Sequence, residues 1–165
     1  MAFSMLPSII IDSITDLTPD FLAERGIELL MLDFDNTIVP YTTDTPEPLM
    51  EQWLYDMKMS DIKICIVSNS KNQRVRIFCK NYGLDCITHA KKPFPKGIRE
   101  CLAKYDISAE NAALIGDQIF TDVLGGNLFG CHSILVEPIQ PESTAFFKFK
   151  RFLEKIILFF YRKRA

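Results

Sequence analysis

IELLMLDFDNTIVPY, residues 27–41, starts as an apolar run and then meets two aspartates, Asp33 and Asp35, one residue apart. Residues 27–32, apolar but for Glu28, have the length and character of a strand buried on both faces, as parallel sheets require. Carboxylates at the mouth of such a strand are costly to desolvate unless something pairs with them. Their purpose has to be sought at the ends of the other strands.

Four more apolar runs follow: IKICIV (62–67), CITHA (86–90), AALIG (112–116) and HSILV (132–136). Helical segments alternate with them. TPDFLAERG (18–26) has Thr18 to cap it, Pro19 in the first turn and Gly26 to end it. Further helices are expected over 45–60, 69–83, 95–106, within 119–130, and over 143–164, with Trp53 packing its helix onto the sheet. The alternation predicts an α/β fold, a three-layer α/β/α Rossmann-like sandwich with about five parallel strands. A chain of 165 residues, 48% hydrophobic, fits one such domain. The expected division is a domain over 1–142 followed by an amphipathic helix over 143–165.

Net charge is −2, so no overall field attracts nucleic acid, and no nucleic-acid partner is expected. The charge is uneven. From residue 144 onward seven Lys/Arg face a single acid, Glu154, leaving that segment at +6 and the rest at −8. The five cysteines (65, 79, 86, 101 and 131) form no C-x-x-C pair and sit among apolar neighbours, which predicts reduced buried thiols and a cytoplasmic setting. The first ten residues lack a basic region and a cleavage site, so no signal peptide is expected. No run of 18 uncharged apolar residues exists to span a membrane. His89 and His132 lie in or beside strands and read as structural. The dinucleotide and P-loop spacings are absent.

Open α/β sheets bind ligands at the carboxyl ends of their strands. Asp33 and Asp35 fall there, as do Ser68, Asn69 and Ser70 after the second strand. Lys91-Lys92-Pro93 follow the third, and Gly116-Asp117 with Asp122 the fourth. Crowded carboxylates resist joint ionisation, and a hard divalent cation relieves the repulsion. In this arrangement Asp33 is a metal-bound nucleophile that attacks phosphorus, and Asp35 is the acid/base. Ser68 and a lysine bind the phosphoryl oxygens. Asp117 completes the metal site, and Asp122 either adds a ligand or orients the lysine.

These residues resemble the haloacid dehalogenase (HAD) superfamily of Mg²⁺-dependent phosphatases. DFDNT (33–37) is similar to its first motif, IVSNS (66–70) to the second, KKP (91–93) to the third and GDQIFTD (116–122) to the fourth. The resemblance implies Asp33, Asp35, Ser68 and Lys92 as catalytic residues, and Ser68, Asn69 and Lys92 as substrate-binding. It implies Asp33, Asp35, Asp117 and Asp122 as metal ligands, Asp35 through its main-chain carbonyl, and Mg²⁺ as cofactor. In the third motif Lys92, directly before proline, is preferred to Lys91. Asn36 stands where many members have glycine. The spans 38–61 and 71–90 are too short for a cap domain, so the layout resembles the capless subfamily IIIA. Within it, the chain looks most like the YqeG-like and mitochondrial phosphatidylglycerophosphatase branch. That branch dephosphorylates phosphatidylglycerophosphate, an anionic lipid phosphate.

The terminal segment bears on this independently. At 100° per residue Phe146, Phe149, Leu153, Ile156, Ile157 and Phe160 gather on one face, with Lys148, Arg151, Lys155 and Arg162 opposite. Phe147 and Leu158 interrupt the basic face. Such a helix suits the interface of an anionic bilayer, packing on its own domain, or a protein partner. FSMLPSII (3–10) offers a second apolar contact. Two enzymatic readings follow: a lipid-phosphate monoesterase at the cytoplasmic leaflet, and a soluble phosphatase of a small phosphometabolite, nucleotide or phosphoprotein. A third, a phosphoacceptor without turnover, is disfavoured by Asp35, whose role is to release the phosphoryl group.

Overall fold

The computed structural model describes residues 4–71, 73–141 and 144–162. In chain order its elements are β1 (Ile9–Ile11), α1 (Pro19–Ala23), β2 (Leu29–Leu32), α2 (Pro48–Met59), β3 (Lys63–Val67), α3 (Gln73–Tyr82), β4 (Asp85–Ile87), α4 (Pro95–Tyr105), β5 (Ala112–Gly116), α5 (Leu124–Phe129), β6 (His132–Val136) and α6 (Ala145–Arg162). The strands form one parallel sheet in the order β1-β6-β5-β2-β3-β4.

β2 is central because every residue in it is apolar on both faces. Leu30 and Leu32 pack toward α2 and α3, meeting Leu54, Met57, Val75 and Phe78. Leu29 and Met31 pack toward α4, meeting Ile98 and Cys101. All four β2 side chains are fully buried, each contributing about 1.5–3 kcal/mol relative to exposure. Trp53 belongs to the core cluster on this face of the sheet, and its indole N–H donates to the Leu17 carbonyl, in the turn before α1, at 2.8 Å. The five cysteines are free thiols.

The chain leaves β2 toward β3 and β4, then returns to the other side of β2 as β5 and β6. The order therefore reverses between β2 and β5, where open sheets hold their ligands. Register aligns Leu32 with Ile66 on one side and Ile115 on the other. Asp33, Ser68 and Asp117 thus emerge side by side.

Several expectations need adjustment. The sheet has six strands among the described residues, not about five, because Ile9–Ile11 pairs with β6 as an edge strand, preceded by a Ser8 N–H bond to the Ser133 carbonyl at 2.9 Å. Three residues are too few to show a period. The strand expected over 86–90 is only Asp85–Ile87. The helix expected within 119–130 opens as a wide π-type turn over Ile119–Val123 before α5. Phe3, Ser143, Lys163 and Arg164, which the sequence assigned to apolar or helical segments, lie outside the described residues, as do the side chains of Phe146, Phe147, Tyr161 and Arg162.

The faces of α6 also differ from the helical wheel. Ile157 and Leu158 pack against Ile119, Val123 and Leu135. Leu158, which interrupts the basic face on paper, helps seat the helix. Arg151 turns inward with buried Glu154, whereas Phe149, Phe152, Ile156, Phe159 and Phe160 face solvent. The reason is a buried carboxylate beneath Arg151. Among the described residues no helix is long and apolar enough to cross a membrane.

Candidate active site

Asp33 continues β2 by one backbone bond, its N–H donating to the Ile115 carbonyl at 2.8 Å. The chain then turns sharply, and Phe34 O accepts from Ile38 N at 3.0 Å. Asn36 has φ 64, a left-handed conformation that asparagine tolerates better than most residues. Its side chain does more than fill that position. Nδ2 donates to the Gln140 carbonyl and Oδ1 accepts from the Gln140 N–H, both at 2.8 Å, tying this loop to the segment after β6.

Asp35 stands at the rim, and its Oδ1 lies 3.2 Å from Arg74 Nη1. Arg74, in the first turn of α3, also reaches Asp44 at 2.7 Å and donates to the Thr43 carbonyl at 2.7 Å. It thereby gathers the 40–44 loop around Asp35. Burial raises the Asp35 carboxyl above its usual range, against the pull of Arg74 and then Lys92, which favours a group that must hold a proton before giving it up. Its carboxylate is not part of the acidic cluster below, so any metal contact from this residue falls to its main chain.

That cluster comprises Asp33, Asp117 and Asp122, whose carboxylate oxygens lie within 4.8 Å of one another. Gly116 makes the close approach feasible. A Cβ there would sit 2.2 Å from Asp122 Cγ, so any larger residue would evict the carboxylate. The wide turn after β5 then lets Asp122 Oδ2 accept from the Gln118 N–H at 3.2 Å.

Lys92 Nζ bridges Asp33 Oδ1 at 2.7 Å and Asp122 Oδ1 at 2.6 Å. Burial alone would depress its pKa, but Asp122 and Asp33 outweigh it and raise the pKa, so the lysine stays charged. Lys91, its neighbour, is exposed and left-handed at φ 58. Asn69, expected among the substrate binders, turns its amide on the backbone of the lysine. Its Oδ1 accepts from Lys92 N at 2.7 Å and its Nδ2 donates to Lys92 O at 3.0 Å, fixing the backbone that aims the ammonium. Ser68 is buried at the end of β3, with its Oγ accepting from Ser70 N at 3.0 Å.

Burial and mutual repulsion leave the carboxylates short of positive charge. Asp33 is raised to about 6, chiefly by burial, opposed by Lys92 and reinforced by Asp122. Asp117 is raised to about 7, again by burial first, opposed by Arg151 and reinforced by Asp33 and Asp122. Asp117 Oδ1 is buried with no hydrogen-bond partner among the described residues. An all-oxygen acidic set with one orphaned carboxylate oxygen fits a hard divalent cation.

A parallel α/β sheet with paired aspartates at its central strand, a serine, a buried lysine and a third acid at the neighbouring strand ends defines a HAD-type phosphatase. Comparison with known proteins agrees. The family model described as mitochondrial PGP phosphatase matches residues 2–140. The Bacillus subtilis protein described as probable phosphatase YqeG is 36% identical over 153 residues, covering 93% of this chain and 89% of its own. The solved fold of the Haemophilus influenzae deoxy-D-mannose-octulosonate 8-phosphate phosphatase superposes with a TM-score of 0.54 at 12% identity, over 68% of this chain and 69% of that one. The Yersinia pestis 3-deoxy-D-manno-octulosonate 8-phosphate phosphatase gives 0.54 at 16%, over 73% and 69%. The chain belongs to the mitochondrial PGP phosphatase family and is a YqeG-like phosphoric monoester hydrolase.

Proposed function

We propose that the chain hydrolyses the terminal phosphomonoester of phosphatidylglycerophosphate, yielding phosphatidylglycerol and phosphate, through an aspartyl-phosphate on Asp33. The observation that carries the chemistry is the Asp33–Lys92–Asp122 bridge beside Asp117 at the reversal of strand order. Asp33 attacks phosphorus as the ester oxygen leaves with the proton of Asp35. Asp35, now ionised, takes a proton from water, which attacks the same phosphorus, freeing phosphate and restoring the Asp33 carboxylate. Ser68 and Lys92 hold the phosphoryl oxygens, and Asp122 keeps the lysine aimed. Asp33 and Asp117, with the main-chain carbonyl of Asp35, would hold Mg²⁺, which would supply charge neutralisation for the nucleophile and the transferring group.

A lipid substrate is favoured by the family and by α6. A groove of about 540 Å³ opens from Asp117 between α6 and the end of β6, with Leu135, Pro138 and Phe152 among its walls. With Phe152, four more large apolar side chains of α6, Phe149, Ile156, Phe159 and Phe160, face outward, flanked by exposed Lys148 and Lys155. This pattern suits an anionic bilayer surface, which would bring headgroups to the site.

The test is a panel of phosphatidylglycerophosphate in mixed micelles beside soluble phosphomonoesters, with Mg²⁺. The lipid is expected to give a kcat/KM at least ~10-fold above any soluble ester, corresponding to about 1.4 kcal/mol of added transition-state binding. Co-sedimentation with anionic vesicles is expected for the wild type and reduced in a Phe149→Ser/Phe152→Ser/Phe160→Ser variant. A preference for a soluble ester together with no vesicle binding would favour a metabolite phosphatase.

The raised carboxylates fix the pH dependence of metal binding. Without the cation Asp117 keeps its proton to about 7 and Asp33 to about 6, so below those values the metal has to displace protons. Affinity is therefore expected to fall as pH drops from 8 to 5.5, with protons released on binding at pH 6. Calorimetry in buffers of different ionisation enthalpy counts them; binding at pH 6 with no release would contradict the assignment.

A further inference from the structure

Asp117 uses its two carboxylate oxygens differently. Oδ2 accepts from Arg151 Nη2 of α6, and the main-chain carbonyl of Asp117 accepts from Nη1 of the same guanidinium. Oδ1 is buried and has no hydrogen-bond partner among the described residues, and one carboxylate oxygen of Asp117 lies within 4.8 Å of oxygens of Asp33 and Asp122. A planar guanidinium that grips a side-chain oxygen and the backbone carbonyl of one residue fixes that side chain's orientation, which a flexible ammonium does not.

Arg151 is itself held in place. Its Nη1 lies 2.9 Å from Glu154 Oε2, and the other oxygen, Oε1, accepts from the Ile119 N–H at 2.8 Å. Lys150 donates to Gln118 Oε1. Three consecutive residues after β5 are thus gripped by one turn of α6, and Ile157 and Leu158 seat that turn on Ile119 and Val123. Glu154 is 4% exposed, which is costly for a glutamate that serves only to decorate a helix.

The charges point the same way. Asp33, Asp117, Asp122 and Glu154 bring four negative charges; Lys92 and Arg151 bring two positive. The deficit equals one divalent cation. Without Glu154 the guanidinium would add an uncompensated positive charge beside the metal position; with it, Arg151 and Glu154 act as a neutral pair.

Given the metal-dependent reading above, we infer that Arg151 and Glu154 are positioning residues of the active site: they lock Asp117 by Oδ2 so that Oδ1 is presented to the divalent cation. The C-terminal helix is then part of the metal site as well as of the outer surface. Partners that orient metal ligands in this way are worth roughly 10–100-fold in metal affinity.

The experiment is Mn²⁺ titration of the full chain, followed by electron paramagnetic resonance of the free ion, for wild type, Arg151→Met, Arg151→Lys and Glu154→Gln. Arg151→Met is expected to bind about 10–100-fold more weakly. Arg151→Lys keeps the charge but loses the fork, so it is expected to fall with Met rather than with the wild type. Glu154→Gln retains the acceptor for Ile119 N and keeps the fold intact if Arg151→Met does not; it too is expected to weaken binding. The metal-induced rise in melting temperature shrinks in the same order. Equal or tighter binding by Arg151→Met and Glu154→Gln would overturn the inference, tighter binding marking Arg151 as a competitor of the metal. A wild type that binds no divalent cation would instead overturn the metal-dependent reading itself.

Discussion

Asp33→Asn is expected to lower phosphate release by about 10⁴-fold or more, the scale of losing a residue that acts as nucleophile. The substitution is nearly isosteric and leaves Lys92 its second partner, Asp122, at 2.6 Å. It also removes one of three carboxylates packed within 4.8 Å of one another. The fold is therefore expected to persist, with a melting temperature equal to or above that of the metal-free wild type. Activity and stability move in opposite directions, which separates a chemical defect from a folding one. Phosphate release in single turnover, alongside thermal melting, checks both. Hydrolysis at the wild-type rate would remove Asp33 from the mechanism.

Lys92→Met is expected to damage both properties. Its ammonium is almost completely buried and sits between two carboxylates. Removing it leaves Asp33 and Asp122 facing each other without compensation. Breaking a buried pair by deleting one partner costs about 3–5 kcal/mol. The loss of a phosphoryl-binding cation adds about 10²–10³-fold in kcat. Lys91→Met, one residue away on the surface, is expected to stay within about 0.5 kcal/mol and near wild-type activity. Denaturant melts and steady-state kinetics on the two variants test this directly. Equal effects at both positions would mean that the buried bridge does not carry the function.

The central sheet and the acidic cluster could be read from the sequence because their signals are local and repeated. Continuous aliphatic runs ending in Asp33, Ser68 and Asp117 have few interpretations, and the parallel topology brings all three ends to one edge. The choice between adjacent lysines rests on one residue of offset before Pro93, and the structure places Lys92 inward. What the sequence did not reveal depends on contacts between distant segments. Arg74 sits in an ordinary polar helix turn, and nothing local marks its reach to Asp35 and Asp44. Asn36 gains its partner Gln140 only when β6 lies two strands from β2.

The last helix is the clearest instance. Hydrophobic periodicity divided it into an apolar face, for a bilayer, the domain itself or a partner, and a basic face opposite, a division blind to what lies underneath. Here the surface underneath includes Asp117 and the backbone after β5, so Arg151 and Glu154 turn inward and Phe149, Phe152, Phe159 and Phe160 turn out. Asn69 follows the same logic, its amide matching the peptide of Lys92 once the fold brings the two together.

The most direct test is to capture the phosphoryl group on the enzyme. Asp35→Asn loses the acid of the first step as well as the base of the second, so with an aryl phosphate, whose leaving group needs no proton, it should still accept the phosphoryl group but release it slowly. Rapid acid quench of that variant with substrate and Mg²⁺, followed by peptide mass analysis, is expected to find the mass of one phosphoryl group on Asp33. A phosphoryl group on another residue, or none during turnover with the phosphate coming straight from water, would contradict the account.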